Sequence, residues 1–332
     1  LCRISSILLV GMAVNASQST AVEAQTRTQA GPTGFVAAES PAQPRALTID
    51  DQFLIERVGS PRVSPDGGSV AYTVSTTDYE TNSSETRVWL VHRDGREPIP
   101  MTREGASASS PRWSPDGETL SFLSARDGGQ TQVWALDLVN GGEAVQITHV
   151  EEGVSAYEWA PDGLGLVLVI KDPAPERDPA PKTKAGEDIP EPWVVDRLQF
   201  KRDYVGYLDR RRDHLYTHDL ATGETVQITS GDFDDSQPAW APDGETIAFV
   251  SNRSDNPDDN FDTNIWVVDA DNTNRGADLV QVTANAGPDH SPTWSPDGRR
   301  IAYLTETDPS HAPYDIAKVA VMEPGGRGSI LT

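Results

Sequence analysis

The chain has 332 residues, of which 36% are hydrophobic and 7% aromatic, and 51 acidic residues against 27 basic ones give a formal net charge of −24. Such a surface repels nucleic-acid phosphates and anionic membranes and argues against both as partners; its plain consequence is solubility, including in a salty medium. A single cysteine, Cys2, leaves no disulfide to be made within the chain.

Leu1 to Ala24 reads as a secretory signal peptide. Arg3 supplies a small positive start, and Ile4 to Val14 is an apolar run broken only by Ser5, Ser6 and Gly11. Small residues at Ala13-Val14-Asn15-Ala16 and Val22-Glu23-Ala24 offer cleavage sites, and the run is too short for a transmembrane helix. The chain does not begin with Met, so an upstream start is expected. Removal of the signal takes Cys2 with it, and a mature protein without thiols suits a periplasmic or secreted location. Residues 25–46 are rich in Ala, Ser, Thr, Gln, Gly and Pro and read as a flexible linker. Thr48-Ile49-Asp50-Asp51 then has the form of an N-cap with an acidic first turn, which predicts a short helix through Arg57.

From Leu47 to Thr332 one unit recurs. Trp113-Ser114-Pro115-Asp116-Gly117 returns at Trp159–Gly163, Trp240–Gly244 and Trp294–Gly298, and an earlier copy at Val63–Gly67 has Val in place of Trp. Pro sets φ for the first corner of a turn, Asp suits the second, and Gly takes the left-handed position that reverses the chain. An apolar strand follows each turn (Thr119–Leu123, Thr246–Val250, Ile301–Leu304), then a second (Gln132–Leu136, Asn264–Val268), then a closing one (Val145–Thr148, Val226–Thr229, Val280–Thr283). The segment before the turn is the fourth strand. The turn aspartates 66, 116, 162, 243 and 297 are 50, 46, 81 and 54 residues apart. A four-stranded repeat of about 40–50 residues is a β-propeller blade. The predicted fold is therefore all-β, with blades at about 60–102, 110–148, 154–229, 236–283 and 291–332. Five blades are expected to form an incomplete, open part of a larger ring, with the faces of the first and last blades uncovered.

The third blade is some thirty residues too long, and the excess, residues 171–213, is an insertion. Lys171 to Pro190 carries five prolines among charges and reads as an exposed irregular loop. Trp193 to Tyr207 is too apolar for one, and is either a subsidiary hairpin packed on its own blade or a contact for a partner.

Most catalytic chemistry is absent from the sequence. There is no Gly-x-Ser-x-Gly, no His-Glu-x-x-His, no glycine-rich phosphate loop and no cysteine pair. His214 and His218 fall on a strand, about 13 Å apart, which suits structural histidines rather than a metal pair. Asp255–Asp262 resembles a calcium loop but lacks the central Gly and closing Glu, and reads as a solvated blade-edge loop. The remaining histidines are His92, in a strand, His149 and His290, in inter-blade connections, and His311, in a loop. Asn82-Ser83-Ser84 and Asn252-Arg253-Ser254 fit the glycosylation sequon and mark exposed sites. No catalytic, cofactor-binding or metal-binding residue is assigned, and no cofactor is expected.

The repeated Trp-Ser-Pro-Asp-Gly, the strand Ile265-Trp266-Val267-Val268-Asp269 and the closing Val-Gln-Ile-Thr resemble two groups: TolB-like propellers and the N-terminal propeller of the prolyl oligopeptidase family of serine peptidases. Three features are similar to the dipeptidyl-peptidase and acylaminoacyl-peptidase branch of the second. They are the lead-in from Leu47 through Ser60-Pro61-Arg62, the insertion around Arg197-Leu198-Gln199-Phe200-Lys201-Arg202-Asp203, and Ser251-Asn252-Arg253 before its Asp/Asn-rich loop. That resemblance implies a seven- or eight-bladed ring, which admits short peptides to a C-terminal α/β-hydrolase domain bearing a Ser-Asp-His triad. This sequence has neither that domain nor the positions of the triad, so it is expected to be the N-terminal part of a longer protein and inactive alone. TolB-like propellers imply instead a scaffold for protein interactions.

Overall fold

The structure, a computed structural model, describes residues 46–174, 195, 197–203, 205–285, 287–308, 316–326 and 328–331. The signal peptide, nearly all of the linker, the Pro-rich part of the insertion and His311 lie outside these residues.

Five four-stranded antiparallel sheets follow one another along the chain. Blade 1 is β1 (Arg57–Val63), β2 (Ser69–Asp78), β3 (Ser83–His92) and β4 (Ile99–Pro100). Blade 2 is β5 (Ala108–Trp113), β6 (Thr119–Ser124), β7 (Gln132–Asp137) and β8 (Val145–Gln146). Blade 3 is β9 (Ala156–Trp159), β10 (Gly165–Lys171), β13 (Asp213–Asp219) and β14 (Thr225–Gln227), with the hairpin β11 (Lys201–Arg202) and β12 (Gly206–Tyr207) inserted between its second and third strands. Blade 4 is β15 (Asp235–Trp240), β16 (Thr246–Ser251), β17 (Asn264–Asp269) and β18 (Val280–Gln281), and blade 5 is β19 (Asp289–Trp294), β20 (Ile301–Thr305), β21 (Lys318–Met322) and β22 (Ser329–Ile330). In each sheet the strands lie in chain order, as in a propeller blade. His290 is therefore in a first strand, not in a connection. The lead-in helix is a 3-10 turn, Ile49–Leu54, that stops short of Arg57, because Arg57 already pairs with Ser75 in blade 1. The Asp51 carboxylate accepts the Thr48 backbone N–H at 2.7 Å, as the N-cap pattern predicts.

The repeated residues explain the repeated geometry. In each turn the Asp carboxylate accepts a backbone N–H two residues on, for example Glu118 to Asp116 at 2.9 Å and Glu245 to Asp243 at 3.0 Å. The turn glycines are all left-handed, with φ of 69–75°. All but Gly67, in the first turn, also stand over the proline of the preceding blade's turn, as Gly117 does over Pro65, where an added Cβ would lie 3.4 Å from Cδ. The closing threonines have a separate task. Thr102, Thr148, Thr229 and Thr283 are buried, and their hydroxyls accept the backbone N–H of Val88, Val133, Leu215 and Ile265 at 2.9–3.0 Å. Each closing threonine thus satisfies a third-strand donor that the two- or three-residue fourth strand is too short to reach.

Four apolar cores join the five blades. Val88 and Leu90 of blade 1 meet Leu120 and Phe122 of blade 2, and Leu123 of blade 2 meets Tyr157 and Leu168 of blade 3. Val169 and Leu215 of blade 3 meet Ile247 and Phe249 of blade 4, whose Val250 and Ile265 meet Ile301 and Tyr303 of blade 5. Among the described residues no core joins blade 5 to blade 1, and the five blades form an open arc.

Candidate functional site: the inner strands and the channel they line

The first strand of each blade lines a cavity of about 1020 Å³, the inner channel of the arc. Its wall is shaped by a feature that the repeat does not announce. Ser60, Ser110, Gln237 and Ser291 have φ of 48°, 51°, 50° and 56°, and each precedes a proline. Left-handed backbone is costly for a residue with a side chain and is further restricted before proline. Here it marks a β-bulge: the pairing of first and second strands shifts at this point in blades 1, 2, 4 and 5. Blade 3 has Ala156-Tyr157 where the others have residue-proline, and β9 pairs with β10 without a shift.

The bulge sets the next residue's carbonyl toward the following blade. Trp113 donates its indole N–H to the Arg62 carbonyl at 3.0 Å, and Trp294 to that of Ala239 at 3.1 Å. Trp159 is served by Ser121 Oγ at 2.8 Å, a hydroxyl that also stands 2.8 Å from that of buried Tyr157. Trp240 faces unbulged blade 3, and its buried N–H has no acceptor among the described residues.

The residue after the bulge, just before each turn's Trp or Val, differs from blade to blade: Arg62, Arg112, Glu158, Ala239 and Thr293. Arg112 Nε reaches Glu158 Oε2 at 2.7 Å, and its Nη1 donates to the Pro111 carbonyl at 3.0 Å. The Arg62 side chain is exposed and makes no hydrogen bond or ion pair among the described residues; partial burial, and then the charge of Arg112, hold its guanidinium below the usual value. Across the channel stand Asp213 and Asp234. The Asp213 backbone N–H donates to Asp234 Oδ1 at 3.2 Å, and Arg212 reaches Asp234 Oδ2 at 3.3 Å. Burial, and then the charge of Asp234, push the Asp213 carboxyl above its usual range.

The structural roles of the two histidines are visible here. Buried His214 lies 3.3 Å by Nδ1 from Asp235, which is itself fully buried and receives Arg253 at 2.7 Å. Arg253 stacks over Phe233, Phe249 and Trp266, and so closes a charge-paired, aromatic-lined knot between blades 3 and 4. His218 lies 2.8 Å from Thr225 Oγ1 and 3.3 Å from the Ile147 carbonyl. The described part of the insertion contains a hairpin, with Phe200 and Tyr207 stacked at 6.3 Å. The Asp/Asn-rich loop holds it: the Asp258 carboxylate accepts the N–H of Leu198 and, at 3.0 Å, that of Gln199, while Arg197 lies 3.7 Å away. Asp258 is thus an anchor for the insertion of another blade, a pairing 59 residues apart in sequence. Asn252 of the second sequon is tied into the same loop by its amide, 2.8 Å from Asn260 Oδ1. Among the described residues there is no group of three or more His, Cys, Asp or Glu placed to hold a metal, and no helix long and apolar enough to cross a membrane.

Four-stranded blades around a lined channel define the chain as a β-propeller, and residues 201–317 match the family model described as TolB beta propeller domain. Two curated relatives are peptidases by name. The chain is 32% identical to the uncharacterized peptidase YuxL of Bacillus subtilis over 225 residues, covering 68% of this chain and 34% of that protein. It is 25% identical to dipeptidyl-peptidase 5 of Porphyromonas endodontalis over 282 residues, covering 80% of this chain and 39% of that one. It therefore spans little more than a third of the length of these relatives. Among solved structures, the acylaminoacyl peptidase of Pyrococcus horikoshii is similar in fold, with a TM-score of 0.59 and 18% identity over 85% of this chain and 40% of that one.

Proposed function

We propose that this chain is the propeller region of a secreted or periplasmic serine exopeptidase, which limits access of peptides to a C-terminal α/β-hydrolase domain. The observation that carries the reading is the extent of the match. Two named peptidases align with 68% and 80% of this chain but only with 34% and 39% of their own lengths, which leaves room for a catalytic domain beyond the propeller. The open arc agrees with a ring completed by further blades. Its partners on this reading are peptides and the hydrolase domain of the same protein.

Peptide hydrolysis by such an enzyme needs a serine activated by a histidine, a carboxylate to orient that histidine, and an oxyanion hole. In this chain His214 and His218 are engaged with Asp235 and Thr225 inside blade interfaces. The purified chain is expected to stay unlabelled by a fluorophosphonate serine probe and to leave aminoacyl and dipeptidyl chromogenic substrates intact. The full-length gene product is expected to be labelled at one serine. Labelling of a serine in this chain, abolished by replacing one of its histidines, would overturn the reading. A second reading, a TolB-like interaction scaffold, is favoured by the family model matched at residues 201–317. A full-length product without a reactive serine decides for it.

A further inference from the structure

The inner channel carries two charged side chains whose neighbours are served and which are not. Arg62 and Arg112 occupy equivalent places in blades 1 and 2; Glu158 bonds Arg112 alone, and its charge acts on Arg62 only at longer range. That wall therefore keeps a net positive charge, in a chain whose formal net charge is −24. On the other side, Asp213 and Asp234 are adjacent; of these two, the Arg212 side chain reaches Asp234, at 3.3 Å, while it also holds Asp232 at 2.7 Å. The side chain of Asp213 makes no hydrogen bond or ion pair among the described residues. Arg202 of the inserted hairpin also lines the channel, and its charge, like that of Lys171, favours an ionised Asp213. Burial above all, and then the charge of Asp234, outweigh these and the charge of His214, so the Asp213 carboxyl is held above its usual range. Arg62 and Asp213 line one cavity, of about 1020 Å³, with the rings of Trp159, Trp240 and Trp294 on its wall.

We propose that the channel is a binding site for a short zwitterionic peptide, held with its carboxylate on Arg62 beside Arg112 and its ammonium on Asp213 beside Asp234. A carboxylate relieves the repulsion between the two arginines and takes up the guanidinium donors of Arg62 that no described residue uses. An ammonium does the same for the paired carboxylates opposite. The two walls belong to blades two steps apart, and each step is at most about 10 Å, the spacing of packed sheets. An extended chain advances about 3.4 Å per residue, so a peptide of up to about six residues spans the gap and a single amino acid does not. The charges call for a zwitterion of that length; the choice of a peptide rests on the peptidase reading. The channel becomes a place where both peptide termini are read, rather than a passive sieve.

The test is calorimetric titration of the chain with tetra-alanine, its C-terminal amide, its N-acetyl form, free alanine and 8-aminooctanoic acid. Tetra-alanine should bind saturably, with affinity falling as salt rises. The amide and Arg62→Gln should each weaken it by about tenfold or more, and so should the acetyl form and Asp213→Asn. In Arg62→Gln the amide should lose nothing further, because the group it lacks no longer has a partner. Free alanine should give no saturable heat. Binding of 8-aminooctanoic acid as tight as that of tetra-alanine would show that any long zwitterion suffices and would overturn the assignment to peptide. Arg62 has no partner to lose, so circular dichroism and melting temperature should match those of the parent and exclude misfolding. No saturable heat up to about 10 mM tetra-alanine, an affinity above about −3 kcal/mol, or an affinity indifferent to blocking either terminus, would overturn the site. This chain is expected to lack a hydrolytic centre, so the titration reads binding alone. A reactive serine in the full-length product together with a silent titration would leave the peptidase reading standing and remove only the site.

Discussion

Blades 2, 3 and 4 differ from blades 1 and 5 in one strand. The second strands of the inner three are buried at every position from Leu120 to Ser124, Leu166 to Ile170 and Ile247 to Ser251. In blade 5 burial alternates: Ile301, Tyr303 and Thr305 are buried, and Ala302 and Leu304 are only partly so. In blade 1 Ala71, Thr73 and Val74 are buried, while Val70 and Tyr72, on the face that Val74 shares, are only partly so. A strand covered on both faces reads as a continuous apolar run, and a strand covered on one face reads as an alternation. Yet Ile301-Ala302-Tyr303-Leu304 is as apolar as Thr246-Ile247-Ala248-Phe249-Val250. The sequence of blade 5 is that of a strand covered twice, while its surroundings cover it once. Likewise Val70 and Tyr72 hold the places of Leu120 and Phe122, the residues with which blade 2 meets blade 1.

The largest consequence is association. The uncovered face of blade 5 corresponds to those with which blades 1–4 meet their successors, and that of blade 1 to those with which blades 2–5 meet their predecessors. The two are complementary by descent from one repeat, but a contact between them in separate molecules is head-to-tail and need not close. The isolated chain should therefore form open-ended oligomers that grow with concentration, as sedimentation velocity would show. Leu304→Lys should shift the population toward monomer. A monodisperse monomer of the parent chain at all concentrations would contradict the open arc.

Within one molecule the comparison can be made with a single residue type. Leu123 and Leu304 occupy the same place in blades 2 and 5, next to Phe122 and Tyr303 respectively. Leu123 is 4% exposed and packs against blade 3, whereas Leu304 faces away from blade 4. Leu123→Ala should cost about 2–5 kcal/mol, the range for a buried leucine that leaves a cavity. Leu304→Ala should cost less than about 1 kcal/mol in the monomer, since little packing is lost. Chemical denaturation of the two variants in a monomeric background measures the difference, and equal costs would mean that blade 5 is covered after all.

Turn variants should be blind to that difference. Gly244 in blade 4 and Gly298 in blade 5 have φ of 74° and 69°, and each lies against the proline of the preceding turn. Either glycine replaced by Val should lose on the order of 1–2 kcal/mol in left-handed strain. An unchanged melting temperature in both would remove the turn assignment. Asp213→Asn has the opposite sign. Because the Asp213 carboxyl is raised in the folded chain, its contribution favours folding only at low pH and is lost as pH rises through that raised value. The variant should be more stable than the parent at pH 7, and the gain should vanish below the ordinary aspartate value of 3.8. A gain that persists in acid would point to packing rather than charge.

The blades were legible because their signals are local. Pro-Asp-Gly fixes a turn by its own backbone chemistry, and a five-residue apolar strand beside it leaves little choice of structure. The bulges were not legible, although their residues were in view. Ser-Pro in a strand ordinarily signals extended backbone before the proline, and only the pairing of two strands shows that Ser60, Ser110, Gln237 and Ser291 turn left-handed instead. The channel walls escaped for a related reason. Arg62, Glu158 and Asp213 are ordinary residues in their own segments and become a site only when blades 1 and 3 are brought around one cavity. Asp258 was weighed as part of a calcium loop because acidic spacing is local, whereas its bonds to Leu198 and Gln199 are not.

The smallest effect tests whether the turns are truly independent of the blades that carry them. Ser114 in blade 2 and Ser295 in blade 5 each donate a hydroxyl to the turn aspartate, at 2.5 Å to Asp116 and to Asp297. In both turns that serine bond, and then the backbone N–H two residues beyond the aspartate, hold the carboxyl below its usual range. A lowered carboxyl stabilises the fold above its unfolded value and loses that contribution as pH falls through the folded one. Ser114→Ala and Ser295→Ala should therefore each lower the melting temperature slightly at pH 7, and both losses should shrink below the ordinary value of 3.8. The bond lies within the turn and involves neither face of the blade, so the two losses should be equal although one blade is covered twice and the other once. A thermal scan of both variants at pH 7 and pH 3 decides. A clearly larger loss in blade 2 would mean that blade-to-blade packing, and not the turn's own chemistry, holds the carboxylate in place.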